Sequence, residues 1–482
     1  MTLPSFSTLI LVVSIAYLAW AIIVSVGLVP QRRSPIATLG WLLALLFLPY
    51  IGAIVYLFFG PRRLRRKRLR YAEVRKALAR ATANVATLAL PEQLSEDVRT
   101  RYRQLAHLGQ RCGQMLATRA GSITVYHEGD ALYAAIHDAI ANARDHIHVE
   151  YYIWAPGEVA DALRDALGKR AREGVKVRVL VDDVGSADAN ERYFKPLLDA
   201  GAQVAWFNPV RLSHFRPTLV NFRTHRKIVI CDGAVGFTGG MNVSDVHSTR
   251  ISGQHAWRDT HLRITSAPVA ALQRLFLEDW QFATGEGEVL PAHFPAPARE
   301  SAGPSVQVIG SGPDDGIYAI QKTLFTAITS ARNSIFICTP YFVPDESILS
   351  AITSAALRGV GVALMVPLRG DSLLVTAAAE SYYDELVRVG VEIYLYGPPM
   401  LHAKTLVVDS SLALVGTANL DNRSFRLNFE NLAVIYDATT AAALMRSFQQ
   451  DLLRATRYRG GTRRRTWSRF LGASARLFSP IL

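Results

Sequence analysis

Cysteine is scarce. Cys112, Cys231 and Cys338 are the whole supply. They are odd in number, widely spaced and include no CxxC pair, which argues against a disulfide framework and a thiolate zinc site. Acidic residues are also outnumbered, with 40 Asp and Glu against 53 Lys and Arg, giving a net charge of +13 and a pI near 9.7. That balance points to a polyanionic partner, either nucleic acid or an anionic membrane surface. Charge of either sign is absent from two early stretches, Ser5 to Val29 and Ile36 to Phe59. Each exceeds the ~20 apolar residues that cross a bilayer. A cleavable signal peptide is the rival reading of the first run. However, no Lys or Arg precedes Arg32, the run is too long, and a second follows at once. A two-helix transmembrane hairpin fits better, with a tolerable kink at Pro49.

Orientation follows from flanking charge. The short connection holds Arg32 and Arg33, whereas the segment after the second run holds Arg62, Arg63, Arg65, Arg66, Lys67, Arg68 and Arg70. The larger basic cluster belongs in the cytoplasm, which predicts both termini and everything after Gly60 on that side. The cluster serves as a topology signal alone or also attracts anionic head groups.

With 482 residues, half of them apolar, the chain suits two or three domains. Residues 1–60 form the hairpin and residues 61–120 a basic, mostly helical connector. Strand-like and helix-like segments then alternate, the pattern of an α/β fold. In the first half, 121–290, strands are expected at His146–Ile153, Val175–Val181 and Gln203–Phe207, with helices at Val159–Glu173 and Asn190–Ala200. In the second half, 305–455, the same order recurs. Strands are expected at Asn333–Thr339, Gly361–Val366 and Val391–Tyr396, and helices at Ser347–Arg358 and Asp371–Val389. This is an internal duplication. Gly285 to Pro304 reads as the link, and 456–482 as an Arg-rich tail.

Each half runs into one motif. The first copy is His225-Arg-Lys227-Ile-Val-Ile-Cys-Asp232, then six residues, then Gly239-Gly-Met-Asn242. The second is His402-Ala-Lys404-Thr-Leu-Val-Val-Asp409, then six residues, then Gly416-Thr-Ala-Asn419. One HxKxxxxD arises easily by chance; two with an identical GxxN downstream do not. In an extended segment His225 and Lys227 share a face, as do His402 and Lys404. Brought together, the halves would set two imidazoles and two ammonium groups around one cavity. Lysines and the Asn242 and Asn419 amides can hold phosphate oxygens. One histidine can attack phosphorus and the other can serve as acid and base. No metal or cofactor is needed, because the lysines supply the positive charge. Asp232 and Asp409 complete the catalytic motif, although strand ends before a turn suit shaping the site better than touching phosphate. Each ring also wants a carboxylate on its other nitrogen. Glu430 follows the second copy and Asp259 follows the first.

These duplicated motifs resemble the phospholipase D superfamily over essentially the whole chain. Within it the bacterial cardiolipin synthase branch is suggested by further segments. They are Pro35-Ile-Ala-Thr-Leu-Gly-Trp41, Leu48-Pro-Tyr-Ile-Gly52 and Tyr56-Leu-Phe-Phe-Gly60 in the hairpin, and Trp257-Arg-Asp-Thr-His-Leu-Arg263 with Glu278-Asp-Trp280 in the first half. Thr339-Pro-Tyr-Phe-Val-Pro-Asp345, Asp421-Asn-Arg-Ser424, Asn428-Phe-Glu430 and the C-terminal Phe478-Ser-Pro-Ile-Leu482 add to them. Cys231 departs from the aliphatic residue expected there. The resemblance implies a bilobal catalytic unit of two phospholipase D-like α/β halves behind a membrane hairpin, in the bacterial cytoplasmic membrane. It implies that two phosphatidylglycerol molecules give cardiolipin and glycerol through a phosphatidyl-histidine. By analogy His225 attacks and His402 is the acid/base; the residues themselves do not order them. Anionic phospholipid is then the partner and nucleic acid is not expected. The tail (Arg454, Arg457, Arg459, Arg463, Arg464, Arg465 and Arg469, with Trp467 and Phe470) is an interfacial contact or a solvated end. The motifs alone leave a lipid hydrolase, a nuclease and a non-catalytic scaffold as rivals. The membrane runs weigh against the nuclease and the intact motif pair against the scaffold.

Overall fold

The computed structural model describes residues 6–29, 35–48, 50–52, 56, 78, 100–113, 115–210, 221–287, 289–296, 303–313, 316–460, 472, 474–477 and 479. The chain divides into two compact units, one of Met1–Arg65 with Val210–Asn221 and one of Arg66–Pro209 with Phe222–Leu482.

The first unit holds α1 (Phe6–Leu28) and α2 (Pro35–Phe47). Ile10–Leu28 is long and apolar enough to cross a membrane, with a mean hydropathy of 2.4. Most of its side chains are exposed, as lipid-facing residues would be. The two helices touch through Leu28 and Leu45, which are buried with Tyr56 and flanked by Trp20 and Trp41. The Tyr17 hydroxyl also donates to the Leu45 carbonyl. Within the expected second spanning run the described helix α2 covers 13 residues. Helical hydrogen bonding continues past Phe47, with Leu48 N donating to the Ala44 carbonyl (3.0 Å) and Gly52 N to the Leu48 carbonyl (2.6 Å), around the position where the sequence leads to a kink at Pro49. Ile51, Gly52 and Tyr56 are helical again. The cluster Arg62 to Arg70 lies outside the described residues.

The second unit opens with α3 (Arg103–Gly113), the described end of the expected connector. The first half then runs β1 (Thr118–Tyr126), α4 (Gly129–Asn142), β2 (His146–Tyr151), α5 (Glu158–Arg172), β3 (Lys176–Asp182), α6 (Glu191–Asp199) and β4 (Gln203–Phe207). It continues through β5 (Lys227–Cys231), β6 (Val235–Gly239), the short α7 (Thr249–Ser252), β7 (His261–Ser266) and α8 (Val269–Thr284). The second half has β8 (Ser305–Ser311), α9 (Ala319–Ser330), β9 (Ser334–Cys338), β10 (Phe342–Val343), α10 (Glu346–Leu357), β11 (Gly361–Pro367), α11 (Leu373–Arg388) and β12 (Glu392–Tyr396). It ends with β13 (Thr405–Val408), β14 (Leu412–Gly416), β15 (Leu420–Asp421), α12 (Asn422–Arg426), β16 (Glu430–Tyr436), α13 (Ala438–Leu452) and β17 (Ala455–Tyr458). The elements expected from sequence are all present. The central strands β2, β3 and β11 are buried along nearly their whole length, as strands covered on both faces must be, whereas β4 and β12 nearer the sheet ends are half-buried. Asn190, Asp345 and Asp437 start helices by accepting a backbone N–H three residues on.

One sheet of 15 strands contains both halves. The first half orders its strands β4-β3-β2-β5-β6-β7-β1, and the second repeats this as β12-β11-β9-β13-β14-β16-β8. The two series meet where β1 pairs antiparallel with its own counterpart β8. Equivalent strands in antiparallel contact define a pseudo-two-fold axis. A shared apolar core joins the halves, with Ile228, Ile230 and Leu262 of the first packed among Val407, Val415 and Ile435 of the second. The sheet runs past the expected boundary at residue 455, because β17 pairs with β12. Further on, Ala475 is buried in the second-half core and the Arg476 guanidinium lies 4.2 Å from the Tyr382 ring centre. Arg463 to Phe470 lie outside the described residues.

The motif aspartates hold this sheet together at the ends of β5 and β13 remote from the histidines. Asp232 accepts from the backbone N–H groups of Arg144 (2.8 Å), Asp145 (2.8 Å) and His146 (3.0 Å), at the start of β2. Asp409 does the same for Arg332 (2.9 Å), Asn333 (2.7 Å) and Ser334 (2.9 Å), before β9, and also pairs with Arg101. Both occupy the left-handed backbone region, at φ 54° and 50°, where Asp is better tolerated than most residues. Asp409→Ala should therefore cost about 2 kcal/mol of stability. Thermal unfolding should show a lower midpoint, while the folded fraction keeps its turnover per molecule; a large kcat loss at unchanged stability would put Asp409 back in the chemistry.

Candidate active site

His225 and His402 each sit just before a strand of their own half, and each is fastened to the other half. His225 N donates to the Phe429 carbonyl (2.8 Å) and Phe429 N to the Arg223 carbonyl (2.9 Å). In the equivalent place, His402 N donates to the Arg258 carbonyl (2.7 Å) and Arg258 N to the Met400 carbonyl (2.9 Å). These are the isolated bridges Thr224–Phe429 and Arg258–Leu401, related by the pseudo-two-fold. Each bridge delivers the next residue of the opposite half. Glu430 comes beside His225, with a carboxylate oxygen 3.0 Å from Nδ1. Asp259 comes beside His402, with Oδ2 2.6 Å from Nδ1. The two carboxylates singled out in sequence thus serve the histidine of the copy they do not follow.

Neighbouring groups fix these partners. Glu430 accepts from the Thr417 hydroxyl and from Asn428 Nδ2 at 3.2 Å. Asp259 accepts from Thr260 N at 2.7 Å. Arg226 reaches from Asp279 to the Glu430 carbonyl (3.3 Å), so it ties the halves beneath His225. Arg258 reaches Asp451 of α13, at 2.9 Å, beneath the other histidine. With Nδ1 engaged by a carboxylate, each ring is left with Nε2 for chemistry. Tyr152 packs edge-on to the His225 ring at 4.9 Å, and Trp257 lies 5.2 Å from the His402 ring.

Lys227 Nζ donates to the carbonyl of His225 at 2.8 Å. Lys404 donates to the carbonyl of His402 and lies 3.0 Å from its Nδ1. The expected Asn pair is present and buried. Asn242 Oδ1 accepts from Ile153 N at 3.3 Å, which leaves its NH₂ as the free donor. Asn419 donates through its side chain to Asp421. The backbone N–H of each Asn is held by a residue five positions on. His247 Nε2 accepts from Asn242 N (3.2 Å) and Ser424 Oγ from Asn419 N (3.0 Å). Sequence reading missed both, along with Thr417 and Tyr152. The common offset of five was a usable signal, hidden by the difference in residue type. Among the described residues, His247, Asp259 and His402 also bring ligand-type atoms within 4.8 Å of one another. In that trio Nε2 of His247 already accepts from Asn242, and Asp259 already engages His402.

The site is buried, and its charges respond. Burial pushes His225 down to about 4, with Glu430 pulling it up and Lys227 pushing it further down. Burial and then Lys404 push His402 to about 4, against Asp259. Burial opposes ionisation of Asp259 and Glu430, yet the facing histidine in each case, with lysine, holds both carboxyls below their usual range. Burial lowers Lys227 to about 7 and Lys404 to about 8, and each lysine feels carboxylates of both halves. At neutral pH both rings are therefore neutral, and the lysines sit near their titration points.

The chain matches a family profile described as the phospholipase D-like domain of cardiolipin synthase over residues 136–280 and 324–452. Residues 15–61 match a profile for the N-terminal segment of phospholipase D-nucleases. It is 39% identical over 471 residues to the major cardiolipin synthase ClsA of Bacillus subtilis, covering 94% of this chain and 95% of that one. It is 36% identical over 462 residues to cardiolipin synthase 1 of Bacillus anthracis, covering 94% and 90%. Among solved structures, phosphatidylserine synthase of Haemophilus influenzae superposes with a TM-score of 0.57 at 17% identity, over 79% of this chain and all of that one, a likeness of fold.

The lysine pKa values set the pH dependence. Above pH 7–8 the lysines discharge, which should weaken the binding of an anionic ligand, and below about pH 4 both histidines protonate. The alkaline limb of kcat/KM should fall well below the 10.5 of an ordinary lysine, and Lys227→Arg, which stays charged, should move that limb upward toward the value of about 8 held by Lys404. A profile flat to pH 10 would contradict the depressed lysines.

Proposed function

The chain belongs to the cardiolipin synthases of the phospholipase D-like family, and on that premise we propose how its residues join two phosphatidylglycerol molecules. One donor binds with its phosphate oxygens on Lys227, Lys404 and the amides of Asn242 and Asn419. Neutral His225, its Nδ1–H donated to Glu430, attacks phosphorus through Nε2. The bond from phosphorus to the glycerol oxygen breaks. His402 gives its Nε2 proton to that oxygen and glycerol leaves. A hydroxyl of the second phosphatidylglycerol then passes its proton to His402 and attacks phosphorus, and the phosphorus–nitrogen bond breaks. Cardiolipin departs and His225 is restored.

The single observation that carries this reading is the reciprocal pairing of each imidazole with a carboxylate of the other half. It leaves two Nε2 atoms and two lysines for one phosphodiester. His402 is neutral in the empty site, but a bound phosphodiester adds negative charge beside it. That raises its pKa toward the imidazolium needed for protonating the leaving oxygen. Attack by His225 rather than His402 follows the family resemblance. We also place the anchor as a multi-pass hairpin in the bacterial cytoplasmic membrane with the catalytic halves in the cytoplasm, from the charge of Arg62 to Arg70.

The test uses purified enzyme in phosphatidylglycerol vesicles, following cardiolipin, glycerol and phosphatidic acid together. Cardiolipin and glycerol should appear in equal amounts, and His225→Ala should abolish both. His402→Ala should slow turnover by at least ~10²-fold and accumulate a phosphatidyl adduct on His225. Phosphatidic acid as the main product would make the enzyme a hydrolase, and an adduct on His402 would exchange the two roles.

A further inference from the structure

Exposed leucines crowd one loop beside the site. The connection from β11 to α11 reads Leu368-Arg-Gly-Asp-Ser372 and opens the helix with Leu373-Leu374. Leu373 is 89% exposed, Leu374 43% and Leu368 41%. A hydrogen bond from the Tyr341 hydroxyl to Asp371, at 2.6 Å, ties the loop to the segment after β9, and Lys404 feels the Asp371 charge. Ser372 caps α11 by accepting from Val375 N at 3.4 Å. The loop thus lies on the side of the site that carries Lys404. The pseudo-two-fold that exchanges β11 with β3 supplies a matching loop in the first half. There Val184 is 43% exposed, and Asp182 holds the turn by accepting from Val184 N and Gly185 N, both at 3.0 Å. Gly185 lies so close to Tyr152, the residue packed on His225, that an added Cβ would sit 2.3 Å from its carbonyl oxygen.

We propose that the Leu368–Leu374 loop is a lip seated in the lipid bilayer, with Leu373 and Leu374 inserted at the boundary between head groups and acyl chains. This rests on the reading of the chain as a phosphatidyltransferase. A phospholipid phosphate can reach Lys404 only if the head group is drawn into the cavity while the acyl chains stay in an apolar environment. Apolar side chains beside that lysine provide the crossing point. Arg369, exposed between Leu368 and Asp371, matches the anionic head groups that surround such a lip. A protein covering these leucines would close the entrance to the site, which sets a bilayer apart as the occupant. Because α1 already anchors the chain, the lip adds orientation rather than attachment.

Binding to membranes as such is therefore no test. The full chain, with Cys112→Ser as background, would carry an environment-sensitive fluorophore on Leu373→Cys in phosphatidylglycerol vesicles doped with brominated lipid. The control site is Leu357→Cys, on a leucine 72% exposed at the C-terminal end of α10, which precedes the opposite end of β11 from the loop. Quenching is expected at position 373 and not at 357; equal quenching at both, or none at 373, overturns the proposal. Separately, Leu373→Glu with Leu374→Glu should lower cardiolipin formation from bilayer phosphatidylglycerol about tenfold, with less than about twofold change on a short-chain, monomeric phosphatidylglycerol. Equal loss on both substrates would assign the leucines to folding or catalysis and overturn the lip. A wild-type enzyme that makes no cardiolipin would sink the functional reading, while the fluorescence result would still decide the lip.

Discussion

Everything in the catalytic unit depends on two buried imidazole–carboxylate contacts that cross between the halves. Glu430 and Asp259 are fully buried, and a buried carboxylate without a cationic or hydrogen-bonding partner is costly. Each finds its imidazole partner only when the other half is in place. A lone first half would leave Asp259 without His402 and Lys227 without Glu430. The reverse holds for a lone second half. The main-chain bridges at Thr224–Phe429 and Arg258–Leu401 set the distances, and the shared core of Val, Ile and Leu behind them makes the closure favourable. Folding and assembly of the site are thus one event.

Much of this was legible in the sequence because the duplication repeats at several levels. The strand and helix order, the HxKxxxxD spacing and the GxxN offset all recur, and each recurrence limits the others. Geometry across the halves was not legible. Glu430 stands closer in sequence to His402, and Asp259 closer to His225, yet each serves the more distant ring. Chain order misleads here because a two-fold axis places the C-terminal part of one half against the motif of the other. Asp232 and Asp409 show the converse case. They belong to the motif by sequence, but about seven residues of strand rise, near 3.3 Å each, carry them to the far end of their strands. There they hold backbone N–H groups.

The pseudo-symmetry is incomplete where chemistry needs a difference. Asn242 is backed by a histidine ring and Asn419 by a serine hydroxyl. His402 is oriented by a short aspartate with Trp257 alongside, and His225 by a longer glutamate that also takes hydrogen bonds from Thr417 and Asn428. Even so, both rings are pushed to about 4, so these different partners do not by themselves assign the two roles.

The burial of the site ties these parts to an anionic substrate. Burial is what brings both lysines near neutrality, and the Lys404 charge pushes Lys227 down further. An arriving phosphodiester reverses the balance, because its charge favours the protonated lysines and the imidazolium of His402 together. Binding therefore recruits the proton that the first chemical step requires. Water competes poorly in such a cavity, for it brings no charge to stabilise the lysines, whereas a phosphatidylglycerol acceptor brings an anionic head group along with its hydroxyl. In the proposed reaction the charge of the buried lysines thus favours an acceptor that carries its own phosphate over water.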